Sequence, residues 1–270
     1  MIPEPQRIGS LAVRDWGGEG IPLVFWHAMG PCASGAELVE VGPVLAARGY
    51  HPYSVDGPGF GASPAATDYA LRALAAKLHE TIDALELERP VVMGHSWGGA
   101  VVLAYAAGHP VRALVLVDSG HIDYADLAAA TNAPPPTQMR WESRAAFDAW
   151  LHDGLDRVTP EVLAGYNAGV HDVDGEVTGT PAEVAVLARR GLLDRVSELW
   201  PGLADTPVLL FLATQEPHHT QSREHIGRFE AAVPHADIRW VDGASHGLIA
   251  DVGPTLGDEV AEWLGRTLSA

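Results

Sequence analysis

The sequence predicts an α/β fold: a mostly parallel sheet of about eight strands, flanked by helices and carrying one helical insertion. Three observations carry this. Short runs rich in valine and leucine at residues 22–27, 91–95, 113–118 and 207–212 read as strands covered on both faces. Between such runs lie segments whose apolar residues recur at helical spacing, so the repeating unit is strand–helix–strand and the pairing parallel. The alternation lapses after Gly120 and resumes near residue 204. At 270 residues and 47% hydrophobic content, the chain can bury a substantial core.

The elements follow in order. Residues 8–14 alternate loosely and run into the turn cluster Asp15-Trp16-Gly17-Gly18-Glu19-Gly20, an antiparallel hairpin pattern. The strand at 22–27 ends in the loop Ala28-Met29-Gly30-Pro31. Residues 37–48 read as a helix closed by Gly49, and 50–56 as a strand ending in Gly57-Pro58-Gly59-Phe60-Gly61-Ala62-Ser63-Pro64. Leu71, Leu74, Leu78, Ile82 and Leu85 share one helical face. The strand at 91–95 turns sharply at Gly94-His95-Ser96-Trp97-Gly98 into a helix that runs to about residue 108, and 113–118 is another buried strand.

Residues 121–203 hold amphipathic pieces at 145–151 and 181–199, the breaker Pro134-Pro135-Pro136 and a Gly/Asp-rich stretch at 172–179. No core strand is expected there. The segment reads as a helical cap inserted between two core segments, 1–120 and 204–270. Strand 207–212, helix 223–232, strand 236–241 and helix 254–268 complete the chain.

Composition narrows the function. Thirty-five acidic against 17 basic residues give a net charge of −18, which argues against nucleic acid or an anionic membrane surface as partner and leaves a small molecule. The single cysteine, Cys32, excludes an internal disulfide and any cysteine-built metal cluster. His218 and His219 are adjacent, so their side chains diverge and no metal site is expected on them; no cofactor is expected either. The opening Met1-Ile2-Pro3-Glu4-Pro5 lacks a basic region followed by an apolar core, and the expected location is cytoplasmic. No oligomeric interface is legible.

The chemistry centres on Gly94-x-Ser96-x-Gly98. Flanking glycines let strand and helix backbones pass closely while the serine hydroxyl projects from the turn. This resembles the nucleophile elbow of the α/β-hydrolases. Three further motifs share the likeness, in that family's order: the His27-Ala28-Met29-Gly30-Pro31 loop, the Asp56-Gly57-Pro58-Gly59-Phe60-Gly61-Ala62-Ser63 turn, and Gly243-Ala244-Ser245-His246-Gly247. The resemblance spans most of the chain, the cap excepted. It implies the α/β-hydrolase fold and a serine hydrolase of the esterase or lactonase kind.

On that resemblance Ser96 is the nucleophile and His246 its base, because imidazole titrates near neutrality. The acid that orients the histidine is Glu216, which follows a late strand where family members carry Gly-x-x-Asp, or Asp118, at the end of the preceding strand; Asp123 is a lesser alternative. The backbone N–H groups of Met29 and Trp97 would form the oxyanion hole. Ala28, Trp141, Trp150 and Tyr166 are candidates to line the substrate pocket, His27 reads as a loop anchor, and His95 as a packing residue. Serine at the elbow sets the chain apart from epoxide hydrolases and haloalkane dehalogenases of this fold, which use aspartate.

The expected substrate is a small, largely apolar ester or lactone, cleaved through an acyl-enzyme. Carbon–carbon bond hydrolysis, perhydrolysis and peptide cleavage fit the same residues. A lyase or cyclase using Ser96 and His246 for proton transfer is a second class, and a non-catalytic binder a third.

Overall fold

The structure is a computed structural model that describes residues 1–131 and 134–269, with the backbone alone at 128–131. The chain opens with β1 (Gln6–Ile8), β2 (Leu11–Asp15) and β3 (Ile21–Trp26), a 3-10 turn (Gly35–Val39), α1 (Val41–Ala47) and β4 (Tyr50–Asp56). Next come α2 (Leu71–Ala84), β5 (Val91–His95), α3 (Trp97–Ala106) and β6 (Ala113–Val117). The segment after β6 holds α4 (Tyr124–Thr131), β7 (Arg140–Trp141), α5 (Arg144–Gly154), α6 (Pro160–Asn167), β8 (His171–Val173), β9 (Glu176–Thr178) and α7 (Ala182–Gly191), with 3-10 turns at Val196–Glu198 and Trp200–Leu203. The chain closes with β10 (Val208–Ala213), α8 (His218–Ala232), β11 (Asp237–Val241) and α9 (Leu248–Leu268).

Eight strands form one sheet in the order β1-β2-β4-β3-β5-β6-β10-β11, antiparallel at β1/β2 and β2/β4 and parallel from β4 onward. This is the α/β-hydrolase fold. Side chains alternate across each strand and build two separate cores. Val24, Trp26, Val92, Leu114, Leu116, Leu210 and Leu212 pack toward α2 and α3. Leu23, Phe25, Val91, Met93, Val115, Val117, Leu209 and Phe211 pack on the other face, with Leu45, Leu256, Val260 and Leu264. The apolar runs are continuous because both faces are covered.

Parallel strands send their carboxyl ends to one edge, which brings the loops after β3, β5, β6, β10 and β11 together. Three helices differ from expectation, one of them α8, which starts at His218 rather than at 223. The stretch at 37–48 is a 3-10 turn followed by α1, with Ser34 capping the turn. The last helix starts at Leu248 and bends at Gly253 (φ 39°, ψ −116°), just before Pro254, whose missing N–H cannot continue the ladder.

Residues 121–203 connect β6 to its sheet neighbour β10. Beside the helices expected there, the segment carries a small antiparallel sheet of its own, β7-β9-β8, of two- and three-residue strands. Strands so short carry no readable alternation. Phe147 is fully buried, its ring 4.7 Å from Trp141 and 6.1 Å from Trp150, in a cluster that also takes in Cys32 of the β3 loop. Thr180 donates to Pro31 O (2.6 Å, backbone) and Gly30 O (2.9 Å, hydroxyl). The Arg157 guanidinium grips both Glu40 oxygens (2.5 and 2.9 Å). Among the described residues no helix is long and apolar enough to cross a membrane.

Candidate active site

The elbow is built from close approach. A Cβ on Gly94 would lie 2.4 Å from Gly98 O, and one on Gly98 only 2.1 Å from Trp26 O, so neither position accepts a side chain. Between them Ser96 sits at φ 52°, ψ −118°, a backbone state that costs about 1–3 kcal/mol and persists only because the surroundings impose it. They do so on both sides: Ser96 N donates to Val117 O (3.0 Å) and Ser119 Oγ donates to Ser96 O (2.5 Å).

The hydroxyl meets a histidine. Ser96 Oγ and His246 Nε2 are 2.8 Å apart, and His246 Nδ1 lies 2.6 Å from Asp118 Oδ2. Asp118 directly follows β6 with φ 46°, and its other oxygen accepts from Ala213 N (3.1 Å) at the end of the neighbouring β10. Burial alone would raise the Asp118 carboxyl, but the bond and charge of His246 and the Ala213 N–H outweigh it and hold the group below its ordinary range. The loop carrying His246 is itself fixed, because Ser245 donates to Asp251 Oδ2 through both N–H and hydroxyl (2.7 Å each).

Of the two carboxylates weighed for the acid, the structure brings Asp118 to the histidine and leaves Glu216 outside. The Glu216 side chain is 61% exposed, and its oxygens accept from the N–H and hydroxyl of Thr220 in the first turn of α8. Asp123 is committed elsewhere, to Ser197 and Arg195.

His218 takes up the space beside the histidine. Its ring stacks on His246 at 4.2 Å and 7°, and burial with the neighbouring imidazole pushes it below the ordinary histidine range. Asp118, His218 and His246 bring donor atoms within 4.8 Å of one another. A metal must lie in the plane of each ring that binds it, and two parallel stacked rings have no such shared point. The arrangement suits proton transfer better than coordination.

Two cavities of about 280 Å³ each meet at His246. Ala28, Met29, Trp150 and Tyr166 line the first; Ser96 and Trp97 line the second. Trp97 opens α3, where the leading N–H groups have no intrahelical acceptor. Trp141, expected at the pocket, is 7% exposed and packs inside the aromatic cluster of α5 instead. Cys32 borders the first cavity as a buried thiol pushed up to about 12, far from the reactive thiolate range. In the second cavity His121, pushed down to about 4 by burial, pairs with Ser222 Oγ at 2.8 Å.

The remaining polar groups differ in kind. His27 Nδ1 faces Ala28 O (2.6 Å) while its Nε2 accepts from Gly57 N (2.8 Å), which fixes a neutral ring. His27 therefore anchors two loops to each other. His95 is 3% exposed, yet it is no mere packing residue: Nδ1 faces Glu37 Oε1 (2.5 Å) and Nε2 faces the carbonyl of His246 (2.7 Å). Sequence reasoning missed Glu37 and weighed His218 only as a metal ligand, since their partners lie far away along the chain.

Comparison with known proteins agrees with the fold. A model of the family described as "Alpha/beta hydrolase family" matches residues 23–262. A 2-hydroxy-6-oxononadienedioate/2-hydroxy-6-oxononatrienedioate hydrolase of a Pseudomonas species is 30% identical over 141 residues, 51% of this chain and 48% of the relative. Lipase 1 of Psychrobacter immobilis is 45% identical over 105 residues, 37% of this chain and 32% of the lipase. The matches thus span about half or less of these relatives' lengths. Among solved structures, E-2-(acetamidomethylene)succinate hydrolase superposes with a TM-score of 0.79 at 19% identity, covering 98% of this chain and 99% of the other. An esterase from Mycobacterium tuberculosis gives 0.77 at 20%, over 98% and 91%. At such identities the superpositions speak for the fold.

Proposed function

The chain belongs to the alpha/beta hydrolase family, and from that premise we propose a serine hydrolase that cleaves a small, uncharged carboxylic ester or lactone through an acyl-enzyme. The observation that carries the reading is the continuous chain Ser96 Oγ–His246 Nε2 (2.8 Å) and His246 Nδ1–Asp118 Oδ2 (2.6 Å), with Ser96 raised on a strained turn. His246 takes the hydroxyl proton as Ser96 Oγ attacks the carbonyl carbon. The N–H groups of Met29 and Trp97 receive the oxyanion. His246 then protonates the departing alkoxide, and water activated by the same ring frees the acid and restores the serine. Asp118, held ionised, keeps Nδ1 protonated and steadies the imidazolium as it forms.

Uncharged substrates are favoured by the cavity walls. Among the described residues no lysine or arginine lines either cavity, whereas the carboxylates Glu37 and Glu40 line the first. A second reading, carbon–carbon bond hydrolysis, draws on the likeness to the Pseudomonas hydrolase, whose named substrates are dioates. A dianion would enter these cavities with no lysine or arginine on their described walls to offset its desolvation.

The test compares hydrolysis of short-chain p-nitrophenyl esters and lactones with cleavage of a 2-hydroxy-6-oxo-dienedioate. Turnover of neutral esters, lost in Ser96→Ala, supports the reading. Faster cleavage of the dienedioate would transfer the assignment to carbon–carbon hydrolysis.

A further inference from the structure

Glu37 and His95 form a polar pair that stands outside the Ser96–His246–Asp118 chain and touches both loops that chain depends on. The carbonyl of His246 accepts from His95 Nε2 at 2.7 Å. Glu37 Oε1 accepts from His95 Nδ1 at 2.5 Å, and Glu37 Oε2 accepts from Ala28 N at 2.8 Å. Ala28 immediately precedes Met29. One buried pair thus links the main chain of the proposed base to the main chain of the proposed oxyanion loop.

The protonation of His95 follows from its neighbours. A carbonyl oxygen has no proton to give, and with Glu37 ionised, the state that the Ala28 N–H donating to its other oxygen favours, the carboxylate has none either, so both ring nitrogens donate. A neutral ring would leave one nitrogen facing an acceptor, lone pair to lone pair, in a site 3% exposed. His27, one strand away, has the opposite pattern, with one acceptor and one donor as partners, and needs no second proton.

We propose that Glu37 and His95 are a positioning pair in which a doubly protonated His95 sets the main chain of His246 while Glu37 sets the oxyanion loop. The role assumes the serine-hydrolase reading above, whereas the charge state of His95 does not. The groups facing His95 are Glu37, His27, Asp118, His246 and His218. Burial works against its charge, but Glu37, the His246 carbonyl and Asp118 outweigh it and hold His95 above the ordinary histidine range. Glu37 is correspondingly held down: burial would raise it, and His95 and the Ala28 N–H more than reverse that. Since Glu37 neutralises His95 at close range, the pair acts on His246 chiefly by orientation rather than by net charge.

The test has two arms. Imidazole ¹⁵N NMR of histidine-labelled wild-type protein at pH 8 is expected to show one ring, assigned to His95 by its loss in Glu37→Gln, with both nitrogens protonated. A wild-type spectrum in which every ring has an unprotonated nitrogen at pH 8 overturns the proposal, whatever the protein's activity.

In the second arm, fluorophosphonate labelling of Glu37→Gln is expected to slow about 100-fold, as for a misplaced reacting group. KM for a p-nitrophenyl ester stays within about twofold, because the changed step is orientation of the reacting groups. Its pH profile gains an ionisation below the ordinary histidine value of about 6.5, because burial of His95 is no longer offset by the Glu37 charge, and Glu37→Asp recovers part of the rate. Wild-type labelling speed and an unchanged pH profile in a folded Glu37→Gln overturn the positioning role. If wild type itself fails to label, the serine-hydrolase reading and the positioning role fall together, and the NMR arm still decides the charge.

Discussion

Replacing Asp118 by asparagine tests the acid assignment through a tautomer. The amide cannot point either way at will: Ala213 N–H donates to Oδ1 at 3.1 Å, so the asparagine carbonyl takes that position. Its NH₂ then occupies the place of Oδ2, 2.6 Å from His246 Nδ1, and donates. His246 must answer with a bare Nδ1, which places its proton on Nε2, 2.8 Å from Ser96 Oγ. A ring in that state cannot accept the serine proton. A comparable wrong-tautomer substitution in a serine protease costs about 10⁴ in kcat, or about 5.4 kcal/mol of barrier. The assay is kcat on a p-nitrophenyl ester, with the urea midpoint confirming a folded variant. Glu216→Gln, an exposed change beside Thr220, is expected to stay within about twofold. An Asp118→Asn variant retaining a tenth of wild-type kcat, or an equal loss in Glu216→Gln, would refute the reasoning.

Gly98→Ala forces a Cβ to within 2.1 Å of Trp26 O and is expected to cost at least about 3 kcal/mol, read as a lowered urea midpoint. Phe147→Ala empties the centre of the aromatic cluster beneath Trp150, which borders the first cavity. It should cost about 3–5 kcal/mol of local packing and raise KM more than it lowers kcat, by steady-state kinetics. Asp118 has a lowered carboxyl, so its contribution to stability is present above the unfolded value of about 3.9 and is lost as pH falls through its folded value. The stability gap between wild type and Asp118→Asn should therefore shrink on acidification below about pH 4, by urea titration at successive pH values.

The central strands were legible because both faces are buried, which turns each into an unbroken apolar run such as 113–117. The elbow was legible because its close approaches admit only glycine at 94 and 98. The acid was not. β6 and β10 are neighbours in the sheet, so a carboxylate after either one starts near the same edge. What separates them is the turn itself: Asp118, at φ 46°, directs its side chain inward, while Glu216 is drawn onto the first turn of α8. Trp141 and Trp150 looked alike in sequence, yet packing against Phe147 buries one and leaves the other at the cavity. Glu37 and His95 lie 58 residues apart, a separation at which no local pattern announces a pair.

Intact-mass spectrometry after reaction with a fluorophosphonate tests most directly whether Ser96 is an activated nucleophile. The account predicts one covalent adduct per wild-type chain, absent in Ser96→Ala. A folded wild-type protein that takes up no adduct, or a Ser96→Ala variant that labels equally, would contradict it.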